Sequence, residues 1–322
     1  MEKGITVIIC TYNGASRLSE TLNHLAAQSI PENLAWEIIL VDNASTDGTS
    51  AIATEIWGKH NVKDVSLNII NETTPGKLFA FRKGITHAKY EYFIICDDDN
   101  WLSPDYVNLA FSILDKDPKI GAAGGKAIAV TEGGAELPEW FEEAKEGYAV
   151  GEQAKNTGFD TRRDSLWGAG LASRTQLYLD TYKTFPSLLI NDDNKKILTA
   201  EDTEYCLRIV LKGYKLYYDS NLSLKHYITA GRLTLDYKNN LYNNFINANS
   251  IMEDYYLALK FGPNGPLNLF NKIRLTIITP IRYIFSSGKK QSKQRKILSY
   301  LLPSVIKPDS ITSQIKALMK NK

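Results

Sequence analysis

Three carboxylates in succession, Asp97-Asp98-Asp99, follow directly on the apolar run Tyr92-Phe93-Ile94-Ile95-Cys96. Adjacent carboxylates repel one another and raise each other's pKa values unless a cation neutralises them. Hard divalent ions such as Mg²⁺ and Mn²⁺ prefer carboxylate oxygens and keep positions open for phosphate. Such an ion can neutralise a departing nucleoside diphosphate. Asp and Asn also favour solvated turns, but an apolar strand running straight into the acids favours the metal. A second acidic pair, Glu201-Asp202, opens a helix-like stretch. Acids in a first helical turn complement the helix dipole, or one of them could serve as general base toward an attacking hydroxyl. His226, just past Lys215-Leu216-Tyr217-Tyr218, could offer a neutral ring nitrogen to a metal or hold a structural hydrogen bond.

These groups need a scaffold, and the first 130 residues describe one. Thr6–Cys10, Glu37–Val41, Ser66–Ile70 and Tyr92–Cys96 read as short strands separated by helix-like stretches. Nearly continuous apolar strands alternating with helices predict an α/β fold with a mostly parallel, Rossmann-like sheet flanked by helices. Ligands of such sheets bind beyond the carboxyl ends of the strands. Three strands end there in polar residues: Thr11-Tyr12-Asn13, Asp42-Asn43 and Asp97 to Asn100. Asp42 can accept from a base N–H and Tyr12 offers a stacking face, which suits a nucleobase; taken singly, Thr11 and Asp42 could instead cap the helices that follow. Residues 130–200 read as long loops around Trp140-Phe141 and Trp167-Gly168-Ala169-Gly170, and loops of that length are usually functional. A helix is predicted from about Glu201 to Lys212, with Gly213 where a C-terminal cap belongs. The Gly-Pro-Asn-Gly-Pro run at 262–266 breaks the chain.

Composition bounds the rest. The chain has 322 residues, 43% hydrophobic and 23% charged, ample for a sizeable core. Its three cysteines have no metal-ligand spacing, which argues against a disulfide framework and for a reducing compartment. No stretch reaches the roughly 18 apolar residues of a spanning helix, and the N-terminus runs into a strand with no signal-peptide pattern. The net charge of +2 hides an asymmetry. Thirteen Lys/Arg and one acid, Asp309, lie from Lys260 onward, a net of +12; the other 25 bases and 35 acids leave −10 in the preceding residues.

The motifs together resemble the family 2 glycosyltransferases, inverting enzymes of the GT-A fold. The match lies in Val7-Ile8-Ile9-Cys10-Thr11-Tyr12-Asn13, in Ile39-Leu40-Val41-Asp42-Asn43-Ala44-Ser45-Thr46-Asp47-Gly48-Thr49, in Asp97 through Asp105, and in Ala200-Glu201-Asp202-Thr203-Glu204, in order over about 220 residues. The resemblance implies a nucleotide-sugar donor, a UDP-sugar first among them, contacted by Thr11, Tyr12, Asn13 and Asp42, with Asp97 and Asp98 near ribose and diphosphate. It implies Mn²⁺ or Mg²⁺ on Asp99 with His226 completing the shell, Asp202 as general base supported by Glu201, and a sugar or acceptor pocket at Trp167, Gly168, Ala169 and Gly170. Many members carry Ala-Arg-Asn-x-Gly after the third strand. Here the stretch is Ala80-Phe81-Arg82-Lys83-Gly84, and Lys77 or Arg82 would supply the positive charge near the phosphates. The Gln-x-x-Arg-Trp element of processive synthases is absent, which implies one sugar per acceptor.

The expected organisation is a catalytic domain over 1–230 and a helical, basic region over 231–322. From Asn268 to Phe285, Leu, Ile and Phe alternate with Lys272, Arg274 and Arg282. Such a segment can lie on an anionic membrane or pack on the catalytic domain. The expectation is a cytoplasmic protein at the cytoplasmic face of the membrane, with a glycan or lipid-linked glycan acceptor in cell-surface polysaccharide synthesis and no nucleic-acid partner. A sugar nucleotidyltransferase would share the sheet and acids but usually shows a Gly-rich first loop bearing Lys or Arg; a non-catalytic assembly partner would not need Asp97, Asp99 and Asp202 together.

Overall fold

A computed structural model of the chain describes every residue except 61, 63, 64, 160–163, 191–198, 264 and 320–322. Alternating strands and helices open it: β1 (Glu2–Thr11), α1 (Leu18–Ala26), β2 (Trp36–Asn43), α2 (Thr49–His60), β3 (Leu67–Glu72), α3 (Lys77–His87) and β4 (Tyr90–Asp97). The short β5 (Asn100–Leu102) leads to α4 (Tyr106–Lys116), β6 (Ile120–Thr131), α5 (Phe141–Ala144), β7 (Ala172–Arg174), α6 (Thr175–Lys183), α7 (Glu201–Leu211) and β8 (Lys215–Ile228). Then come α8 (Leu235–Phe261), α9 (Leu269–Ile284), α10 (Gly288–Leu301) and α11 (Ser310–Leu318).

The strands form one eight-stranded sheet in the order β3-β2-β1-β4-β7-β6-β8-β5. β1 pairs parallel with β2 and β4, and β2 with β3, so the first half is parallel as expected. β7 runs antiparallel to both β4 and β6, and β5 antiparallel to β8, which makes the whole sheet mixed. The alternation of side chains along a strand divides the core into two layers. Ile5, Val7 and Ile9 pack with Ile38, Leu40 and Ile94 under α1 and α4. Ile8, Ile39, Val41, Phe93 and Ile95 pack under α3, α6 and α7. Both faces are covered, and this is why the strands read as unbroken apolar runs.

Residues 130–200 differ from the expectation of loops. Among the described residues they contain α5, β7 and α6, and they are preceded by β6, which the reading of short strands overlooked. β6 runs Ile120-Gly121-Ala122-Ala123-Gly124-Gly125 and lacks bulky branched residues over most of this stretch. The reason is crowding: a Cβ at Gly125 would stand 1.6 Å from the Leu222 carbonyl oxygen. Small residues here satisfy close strand contact rather than β-propensity.

The helical C-terminal region is present. Its first helix shares a core with the preceding residues: Leu207 and Leu211 of α7 meet Ala248, Met252, Tyr255 and Ala258 of α8 and Ile315 and Leu318 of α11. A buried ion pair pins the same junction. Arg208 and Glu204 are both fully buried and 3.0 Å apart, and Tyr255 Oη donates to Glu204 at 2.8 Å while accepting from Arg208 Nε at 2.9 Å. Arg208 also donates to the Phe185 and Pro186 carbonyls. Of the Gly-Pro break between α8 and α9, Asn264 lies outside the described residues. Among the described residues no helix is long and apolar enough to cross a membrane. The three cysteines are buried and unpaired.

Candidate functional site

The parallel register aligns Thr11 with Asp42 and Cys10 with Asp97, so the polar strand ends meet at one sheet edge. A cleft of about 980 Å³ opens there, the size of a small-molecule site. Tyr12, Lys77, Asp97, Asp99, the loop Trp167-Gly168-Ala169, Glu201, Asp202 and His226 all line it. Residues more than 200 positions apart in sequence are thereby brought together, as the motifs implied.

The acidic run is not three equivalent groups. Asp97 ends β4 and accepts from Lys77 Nζ at 2.7 Å inside the cleft. Burial pulls the Lys77 ammonium down, but the Asp97 and Glu201 carboxylates outweigh it and hold the group well above its ordinary range. Asp98 turns inward. Its carboxylate accepts from Thr11 Oγ1 at 2.5 Å and from Arg17 Nε and Nη2 at 3.1 and 2.8 Å. Asp98 thereby ties β1 to α1, and both it and Thr11 line the cleft. Gly14 permits this tie, since a Cβ there would meet Thr11 Oγ1 at 2.0 Å.

Asp99 faces His226. β5 pairs with β8 so that Asn100 sits opposite His226, and this brings Asp99 Oδ1 to 3.5 Å from His226 Nε2. Asn100, fully buried, donates to Asp99 Oδ1 at 3.0 Å and accepts from the Asp97 amide at 3.2 Å. An ionised aspartate at position 100 could not make the first bond. Arg232 Nη1 donates to Asp99 Oδ2 at 2.9 Å and lies 3.4 Å from His226 Nε2. Burial raises the Asp99 carboxyl, but His226 and Arg232 prevail and bring it down to about 2. Asp99 is thus held ionised and is already paired with a cationic side chain, Arg232. One carboxylate and one imidazole suit a hard divalent ion that takes its remaining ligands from phosphate and water. No group of three His, Cys, Asp or Glu side chains that could hold a metal converges among the described residues.

Asp202 is oriented by the loop opposite. Its Oδ2 accepts from the Gly168 amide at 2.7 Å and its Oδ1 from the Thr203 amide at 2.6 Å. The loop is itself fixed by Gln153, which accepts from the Trp167 amide at 2.6 Å and donates to the Gly125 carbonyl at 2.8 Å. Ala200, just before the pair, has φ 102°, a conformation that a side-chain-bearing residue keeps only when its surroundings enforce it. Burial pushes the Glu201 carboxyl above the ordinary carboxylate range, with Lys77 pulling the other way.

Four expected residues do not line the cleft: Asn13, Asp42, Arg82 and Gly170. Asp42 accepts from the Ser45 amide at 3.0 Å and Ser50 Oγ at 2.5 Å, as a turn and cap residue would. Asn13, at φ 48°, accepts from the Thr46 amide at 2.8 Å and so joins the first loop to the second. The Arg82 guanidinium lies over the Tyr182 ring. Gly170, at φ 76°, accepts from Tyr106 Oη at 2.8 Å, and a Cβ there would meet that oxygen at 2.2 Å. Tyr12 remains 59% exposed at the rim, free to stack.

Sequence reasoning missed Arg17, Asn100 as a positioning residue, Gln153, Arg232, and the α8 wall of Tyr237, Tyr242 and Phe245. Arg232 is held over the Tyr148 and Tyr237 rings at 6.0 and 5.6 Å. It sits on a one-turn 3₁₀ segment, Ala230–Leu233, where no periodicity marks it.

Residues 6–166 match the family model described as glycosyl transferase family 2. The chain is 25% identical over 291 residues to the dolichyl N-acetyl-α-D-glucosaminyl phosphate 3-β-D-2,3-diacetamido-2,3-dideoxy-β-D-glucuronosyltransferase of Methanococcus voltae, across 88% of this chain and 84% of that one. It is 32% identical over 123 residues to a poly-β-1,6-N-acetyl-D-glucosamine synthase of Staphylococcus epidermidis, a match spanning 38% of this chain but only 28% of that protein. Among solved structures, residues 1–349 of S. aureus TarS superpose with a TM-score of 0.56 at 18% identity, covering 98% of this chain and 83% of that one. The Pyrobaculum calidifontis mannosyltransferase PcManGT, solved with GDP-Man and Mn²⁺, superposes with a TM-score of 0.51 at 20% identity, covering 100% and 89%. These structural likenesses establish the GT-A architecture. With the matching family model, the ordered motifs and the acid-lined cleft at the strand ends, the chain belongs to glycosyl transferase family 2.

Proposed function

We propose that the chain transfers one sugar from a UDP-sugar to a hydroxyl of a glycan or lipid-linked glycan, with inversion at the anomeric carbon, in cell-surface polysaccharide synthesis. The observation that carries this reading is the juxtaposition, in one cleft, of an amide-oriented Asp202 with the close pair Asp99 and His226. Tyr12 stacks on the base. Lys77 and Arg232 place positive charge beside the diphosphate. Asp202, its carboxylate pinned by the Gly168 amide, takes the proton of the attacking hydroxyl. Glu201, its carboxyl shifted upward by desolvation, stands beside it as the supporting acid. Asp99 and His226 would hold a Mn²⁺ or Mg²⁺ ion, which when bound would neutralise charge on the leaving diphosphate.

The donor class draws on relatives: TarS has been solved with UDP and with UDP-GlcNAc. The metal draws on PcManGT, and the lipid-linked acceptor on the M. voltae protein, named for a dolichyl-linked substrate. The α8 aromatic wall would receive the acceptor, and the basic C-terminal helices would face the membrane surface that presents it. A thermal-shift screen of nucleotide sugars with and without Mn²⁺ tests the donor: a bound ligand raises the midpoint by linkage. The expected result is a metal-dependent rise with UDP-sugars above that with GDP- or ADP-sugars. No rise with any nucleotide sugar would contradict the reading.

A further inference from the structure

The outward face of α9 is apolar. Leu269, Ile273, Ile277, Ile281 and Phe285 recur at four-residue spacing, with Phe270 and Ile284 beside them, and their exposures run from 53% to 84%. At about 100° per residue they fall in one sector of roughly 160°. The opposite side carries the packing: Thr279 is 1% exposed, and Leu275 joins Leu257, Phe261 and Ile297. A helix of a water-soluble domain turns its apolar stripe inward; α9 has its largest stripe outside.

Charge identifies the occupant. Lys272 and Arg282 flank the apolar sector, each about 60° beyond one of its edges, Arg274 falls just inside it, and α9 and α10 contain no Asp or Glu. Lys289, Lys290 and Arg295 continue the basic surface and are exposed. The acids nearest in contact, Glu253 and Asp254 of α8, are already paired with Lys293 and Lys296. A two-fold pairing of this face with a second copy would set bases against bases. An apolar sector edged by cations is instead complementary to a bilayer with anionic headgroups, in which the cationic side chains reach up to the phosphates.

We infer that α9 lies in the plane of an anionic membrane, buried by Ile273, Ile277 and their neighbours, and is the element that docks the protein there. This deepens the membrane-surface placement proposed above and does not depend on donor chemistry. It also orients the enzyme, since α8 both walls the cleft and leads into α9.

The test is co-sedimentation of the full-length chain with phosphatidylcholine vesicles with and without phosphatidylglycerol, comparing wild type with the double variant Ile273→Asp/Ile277→Asp. Both positions are more than half exposed, so the variant should keep its thermal midpoint and its donor-induced shift. The expected result is partitioning of wild type onto anionic vesicles, weaker on neutral ones, and a loss of at least about tenfold in the variant. A single Ile277→Trp variant should show blue-shifted emission on the anionic vesicles. Equal partitioning of wild type and double variant, or none by wild type, would overturn the inference. So would a wild-type dimer in solution that the double variant dissolves, because the face would then be a self-interface. Absence of a donor-induced shift in both proteins would count against the transferase reading while leaving the vesicle result to judge α9.

Discussion

Arg232 exemplifies how single residues set the character of this cleft. Its guanidinium stands against both Asp99 and His226, where a metal ion would compete with it. Replacing it with alanine should tighten Mn²⁺ binding in the absence of donor by about tenfold, the worth of one charge-assisted hydrogen bond of ~1.5 kcal/mol. A Mn²⁺ titration followed by electron paramagnetic resonance checks this, and weaker binding would show that Arg232 does not compete. The acids at the strand ends were legible in the sequence because an apolar run leading straight into carboxylates puts them at the sheet edge where ligands bind. Their division of labour was not. Asp98 is held in the cleft wall by Arg17 at the start of α1, and nothing in the spacing of Asp97, Asp98 and Asp99 encodes that pairing.

At the scale of elements, α7 presents Asp202 because its far side is anchored. The Glu204–Arg208 pair is fully buried and joins α7 to Tyr255 of α8 and to the 185–188 segment. Removing one partner leaves an uncompensated buried charge, so Glu204→Ala should destabilise the fold by about 3–5 kcal/mol, read from urea denaturation. Gly170→Ala combines a left-handed backbone with a clash at the Tyr106 hydroxyl and should cost at least about 1–3 kcal/mol. The same measurement on Gly168→Ala is the control. Gly168 has no positive φ, and a Cβ there would meet Asp202 at an ordinary 3.4 Å. The parallel half of the sheet was readable because burial on both faces writes itself as apolar runs. β6 and β7 were not, because tight packing there selects glycine, alanine and serine.

Over the whole molecule, the charge split anticipated a division of labour that the packing only partly honours. The basic helices are distinct in surface character, yet Ile315 and Leu318 of α11 are buried in the cluster that α7 shares with α8. Deleting residues 262–322 should therefore lower stability by at least about 3 kcal/mol, from the lost burial of those two side chains alone. An unchanged thermal midpoint of the truncated chain would show the catalytic residues to be self-sufficient. The central claim is that this cleft binds a nucleotide-sugar and that Asp202 alone removes the acceptor proton. The measurement that tests it most directly pairs UDP-sugar affinity with transfer rate in Asp202→Asn. The account predicts affinity within about twofold of wild type and a turnover lower by at least ~100-fold. Near-normal turnover, or a loss of donor binding that accounts for the lost rate, would contradict it.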